Sequence, residues 1–264
     1  MNLSGTWSSS GCALPSEPPV RRLLGLDFAA LDREGALGWV AGRPAEAPFA
    51  YVVTPNADHL ARLARRPELA SLYRGAALRL LDSRVVSRLA PLFGLEAPPV
   101  VTGSDLVAAM LARAVRPEDS IAVLGAPAPA VAALAKRYGL TRIAHHDPPM
   151  GFEDDPAAFA AAVEFVETHP ARFVLLAVGS PRQERVAAAV ASRGRAQGLG
   201  LCIGAGLLFL AGLERRAPGW VQQAALEWAW RLAHDPRRMA RRYLVDDPVV
   251  LALMWREARR RRAG

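Results

Sequence analysis

Asp82 ends the apolar run "ALRLLD" (77–82), and a carboxylate at such a place has two uses. It caps a helix that starts just beyond it, or it faces a ligand as a general base. Upstream, "TPNADHL" (54–60) follows the run "FAYVVT" (49–54) and gives Thr54 and Asn56 a similar choice. They either cap free amides beside Pro55 or line a pocket. Downstream, "VGSPRQERV" (178–186) puts Ser180, Pro181 and Gln183 at the spacing of a capping box, with Gly179 allowing a close turn. A helix start there also offers N–H groups to an anion. The chemistry on offer is proton removal by Asp82 beside a phosphate-sized anion. No GxGxxG, P-loop or Asp-x-Asp metal motif accompanies it.

These residues need elements to hold them. Candidate strands are 21–28, 49–54, 77–82, 120–125, 141–146, 172–179 and 199–204, each rich in leucine or β-branched residues. Between most of them runs an alanine-rich helical pattern such as "DLVAAMLARAV" (105–115). That alternation predicts an α/β fold with a largely parallel sheet covered on both faces. In such sheets ligands bind beyond the carboxyl ends of the strands, where Asp82 and both loop motifs fall.

Composition narrows the classes. No apolar stretch reaches the roughly 18 to 20 residues that span a bilayer. The first residues have neither a cationic start nor an apolar run, so a cytoplasmic protein with a disordered polar leader over 1–20 is expected. Cys12 and Cys202 make no disulfide framework, and the five histidines lack ligand spacing, so no metal or other cofactor is expected. The net charge is +8. Residues 213–264 hold twelve Arg against six Asp plus Glu, which is +6 of that excess, so the basicity is local. An anionic partner is implied there.

The order of the motifs is more specific than any one of them. "TPNADHL", Asp82, "VTGSDLV" (101–107), "VGSPRQE" (178–184), "GAGLLFLAGLERRAP" (204–218) and "LEWAWRLAHDPRRMARRYL" (226–244) together resemble the WecG/TagA/CpsF family of bacterial glycosyltransferases, over about residues 21 to 245. The resemblance implies a Rossmann-like sheet over 21–212 and a helical, membrane-docking appendage over 213–264. It implies inverting, metal-independent transfer of a sugar, of N-acetylmannosamine or glucose/glucuronic type, from a UDP-sugar to a polyprenyl-diphosphate-linked acceptor. That reaction serves cell-surface or extracellular polysaccharide biosynthesis, at the inner face of the cell membrane. Asp82 falls on the family's proposed base. Thr54, Asn56, Gly103, Ser104, Asp105, Gly179, Ser180, Gln183 and Glu184 fall on motifs lining the pocket. Arg231, Arg238 and Arg241 fall on arginines that reach the diphosphates.

The tail has its own physical logic. Asp235-Pro236 marks a helix boundary, with Leu226 and Trp230 sharing a face before it and Arg238 and Arg242 sharing one after it. Trp220, Trp228, Trp230 and Trp255 suit a boundary between oil and water, and the last run, 256–264, suits a solvated basic surface. Self-association into a homo-oligomer would hide the tail's apolar face in solution.

At three places the sequence departs from the family pattern. Ser83 stands where glycine is usual, Val100 where an arginine is, and Leu207-Leu208 where Phe-Asp is. They motivate an alternative, a weakened relative that binds a lipid-linked sugar or a partner enzyme. A nucleic-acid binder rests on the basic tail alone, and no nucleic-acid motif accompanies it.

Overall fold

The computed structural model describes residues 15–213 and 247–263. A hairpin of β1 (Val20–Leu23) and β2 (Leu26–Ala29) comes first. Residues 21–28, expected as one strand, are therefore two. Leu24 and Gly25 both take positive φ, +50° and +80°, and fold the run back on itself.

Six parallel strands follow, in the order β4-β3-β8-β7-β5-β6. They are β3 (Ala50–Val53), β4 (Leu78–Arg79), β5 (Ile121–Leu124), β6 (Ile143–His146), β7 (Phe173–Leu176) and β8 (Leu199–Cys202). The central strands β5, β7 and β8 are buried throughout, which is why they read as unbroken apolar runs. Alternate residues feed two cores. Tyr51, Val53, Leu124, Val174 and Leu176 enter one, and Val52, Val123, Phe173, Leu175 and Leu201 enter the other.

The first core is covered by α2 (Ala57–Arg65), α3 (Ala70–Arg74), α4 (Arg84–Leu89), α7 (Pro156–Thr168) and α8 (Arg182–Arg193). The second is covered by α1 (Arg33–Ala41), α5 (Gly103–Arg113), α6 (Ala128–Tyr138) and α9 (Gly206–Leu210). The result is a three-layer, Rossmann-like α/β fold.

The terminal helix α10 (Asp247–Ala263) joins the first core through Val250, Met254 and Ala258. It lies against α2 and the 3-10 turn Ala90–Phe93. Its far end is tied to the hairpin. Leu24 N donates to Glu257 Oε2 at 2.6 Å, and Arg261 Nη2 donates to the carbonyl of Arg22 at 2.6 Å. The run 256–264, expected to serve only as a solvated surface, thus has Arg261 and Ala258 holding helix to body.

Candidate active site

β4, β3, β8 and β7 are neighbours, so the residues leaving their carboxyl ends share one edge of the sheet. Asp82 emerges beyond β4, and its amide donates to the carbonyl of Pro55 beyond β3 at 3.1 Å. Its carboxylate Oδ2 accepts from Gly103 N, the first residue of α5, at 3.1 Å. A Cβ on Gly103 would lie 2.7 Å from Thr54 Oγ1. Glycine leaves room there for Thr54 and Asp82, which both approach that turn of backbone. Thr54, Asp82 and Gly103 are therefore brought together from three separate connections.

The caps around them are local. Asn56 and His59 exchange side-chain and backbone hydrogen bonds at 3.2 Å each, a full capping box for α2. Thr102 caps α5 by accepting from Asp105 N at 3.2 Å. Ser104 faces α9, with its Cβ 3.5 Å from where a Cβ on Gly206 would stand. Ser83 caps α4 by accepting from Val86 N, and its φ of −152° is extended backbone. Nothing in that turn calls for glycine. Val100 pairs with Leu81 and packs on the first core, whereas Leu207 and Leu208 pack on the second.

The β7–α8 loop differs from its sequence reading. The α8 helix begins at Arg182 with Pro181 as its N-cap residue, and no side chain caps it. Ser180 instead turns toward the body, with its hydroxyl 3.1 Å from the Tyr73 hydroxyl and accepting from Arg62 Nη1 at 3.0 Å. Arg62 is itself fixed by Asp58 at 2.9 Å. Gln183 is buried too, and its Oε1 accepts from Gly204 N at 2.8 Å. That bond joins the β7–α8 loop to the β8–α9 loop. A Cβ on Gly204 would sit 3.8 Å from the Cα of Gly179, so the two loops touch at their glycines.

Glu184 is 1% exposed and accepts from Gln183 Nε2 at 3.0 Å, while its Oε2 has no hydrogen-bond partner. Burial pushes this carboxyl above its usual range, against the opposing pull of Gln183, Ser180 and Arg62. Burial, with Glu184 close by, also raises the Cys202 thiol, which is no nucleophile at neutral pH.

Arg62 and Tyr73 were not singled out by sequence. Arg62 reads as the partner in an ordinary Asp58–Arg62 helix pair at i,i+4, and Tyr73 as one more core aromatic. Only the fold brings them to Ser180. Among the described residues no three His, Cys, Asp or Glu side chains gather as metal ligands would. Arg231, Arg238, Arg241, Trp220, Trp228, Trp230 and the Asp235-Pro236 boundary lie outside the described residues.

Residues 21–264 match the family model described as the glycosyl transferase WecG/TagA/CpsF family. Among solved structures, the chain is similar to SulA from Pseudomonas aeruginosa at 16% identity, over 58% of this chain and 95% of that one. The TM-score of 0.25 is too low for that likeness to bear on fold or function.

Proposed function

The chain belongs to the WecG/TagA/CpsF family of glycosyl transferases, and from that premise we propose that it moves a sugar from a UDP-sugar to a polyprenyl-diphosphate-linked acceptor. The transfer inverts the anomeric centre and uses no metal. It serves cell-surface or extracellular polysaccharide synthesis. The observation that carries this reading is the meeting of Asp82, Thr54 and the start of α5 at the carboxyl edge of the sheet.

Inversion needs a base on the face of the sugar opposite the departing UDP. Asp82 is that base. The Gly103 amide fixes the orientation of its carboxylate, so little rearrangement is needed when the acceptor hydroxyl arrives. Thr54 lies beside it as a hydrogen-bonding group for the substrate. Charge developing on the diphosphate is met by dipoles and cations. The start of α8 and Arg182 supply these from the body, and Arg231, Arg238 and Arg241 supply them from the tail. Ser180, Gln183 and Glu184 act from behind, holding the two glycine loops in register.

Acceptor chemistry at a bilayer surface calls for a protein that lies on the membrane. No helix among the described residues is long and apolar enough to cross one. On α10, Leu251 and Trp255 are exposed, and Arg259 sits 4.3 Å from the centre of the Trp255 ring. That pairing suits the headgroup level of a lipid surface.

The test is UDP release from a panel of UDP-sugars, with and without a detergent-solubilised polyprenyl-diphosphate-sugar acceptor, in EDTA, for the native protein and Asp82→Ala. Acceptor-dependent release that persists in EDTA and falls by roughly 100-fold or more in the variant is expected. Release that needs a divalent cation, or that survives the loss of Asp82, overturns the mechanism.

A further inference from the structure

Behind the terminal helix lies a groove of about 520 Å³ that the chemistry above does not use. One wall is the hairpin turn, with Arg22 and Leu24, and the other is the flank of α10, with Leu253, Arg256 and Arg260. Arg261 and Glu257 close its base. Glu257 is the one carboxylate in the lining, and it is already engaged by Leu24 N and by Arg261 Nη2, at 2.6 and 2.5 Å. Arg22, Arg256 and Arg260 have no acidic partner among the described residues.

Two features separate this groove from an ordinary solvated basic face. Its walls are joined by hydrogen bonds from one end of the sequence to the other, Leu24 to Glu257 and Arg261 to Arg22, so the two backbones that carry the cations are held together. Arg256 and Arg260 also stand one helical turn apart, and like charges so placed repel. An anion bridging them and Arg22 relieves that repulsion. Guanidinium groups on two walls match the several oxygens of a phosphate. Leu24 and Leu253 add an apolar lining, which points to an amphiphile rather than a free ion.

We propose that this groove seats the phosphate headgroup of an anionic lipid and so orients the enzyme on the bilayer. The proposal rests on the membrane-surface reading of the function. It places part of the lipid contact on the amino-terminal hairpin, outside the tail. Leu24 and Leu253 in the lining favour a lipid source for the phosphate over a soluble one, whereas the exposed Leu251 and Trp255 lie on the opposite flank of α10.

Binding of the full chain to phosphatidylglycerol and to phosphatidylcholine vesicles decides it, for R256Q/R260Q, R22Q and a control pair at the far end of α8, R193Q/R195Q. Vesicle affinity is expected to fall roughly fivefold for each groove guanidinium removed, about 25-fold for the groove pair, and under about threefold for the control pair. Preference for phosphatidylglycerol is expected to fall with it. Equal losses in both pairs, or none in R22Q, mean diffuse attraction and overturn the site. Inorganic phosphate is the second probe. Tight phosphate binding that R22Q abolishes, with vesicle binding unchanged, assigns the groove to soluble anions and overturns the lipid assignment. UDP release in detergent is expected to be retained by every variant, and it reports folding. If the native protein releases no UDP, the transferase reading falls while the vesicle comparison still decides the groove.

Discussion

At Glu184 a carboxyl is buried beside an amide, with one oxygen left without a partner. Its folded pKa lies above the unfolded value, so the folded state holds the proton more tightly. The stability this contributes is fully present below the ordinary carboxyl range and is lost as pH rises through the folded pKa. Arg62, Tyr51, Tyr73 and Cys202 are the titratable groups coupled to the same cluster. Glu184→Gln keeps the shape without the proton. Its melting temperature is expected to gain on that of the native protein as pH rises above about 5. Glu184→Ala leaves a cavity and strips the Gln183 amide of its acceptor, at a cost of about 2–4 kcal/mol by urea unfolding. Gly103→Ala acts on chemistry instead, since the new methyl displaces Thr54 or draws the 103 amide from Asp82. A kcat lower by roughly 100-fold with a nearly native melting temperature is expected, from UDP release and calorimetry. Residue types and order were enough to bring Asp82, Thr54 and Gly103 under suspicion. The job of Ser180 was not legible, because its partners Tyr73 and Arg62 are distant in sequence and the local spacing imitates a cap.

The elements followed their patterns where burial was two-sided. β5, β7 and β8 are buried at every position, and continuous apolar runs announce such strands. The hairpin was missed because its turn is a leucine and a glycine inside an apolar run, without the polar residues that mark turns. The β4 strand is short for the opposite reason. Its run continues past Arg79 only as single links, Leu80 N to the Val53 carbonyl and the bridge of Leu81 with Val100. In α10 the apolar contact depends on few residues, and Met254 is fully buried among them. Met254→Ala is expected to cost about 2–4 kcal/mol. Amide exchange should rise along Asp247–Ala263 and at Leu24, while β7 and β8 stay protected. Unchanged exchange at Leu24 would mean that the hairpin does not depend on the helix.

Over the whole molecule, α10 packs on the first core through Val250, Met254 and Ala258. Deleting residues 247–264 is therefore expected to lower the melting temperature by about 6–12 °C in a single transition, taking about 3 kcal/mol for the lost burial of Val250, Met254 and Ala258. A native melting temperature after deletion would show that the helix only rests on the body. The family resemblance implies a helical appendage over 213–264, and α10 is its described part. Charge does not disclose a buried stripe as sparse as Val250, Met254 and Ala258, each four residues from the next. The tie between Leu24 and Glu257 also sets an order of events during synthesis. The hairpin leaves the ribosome long before the partner that holds its turn is made. Until residue 261 has emerged, the Leu24 amide and the Arg22 carbonyl lack the partners that hold the turn, so the hairpin waits without its final tie while all the chain between them is made.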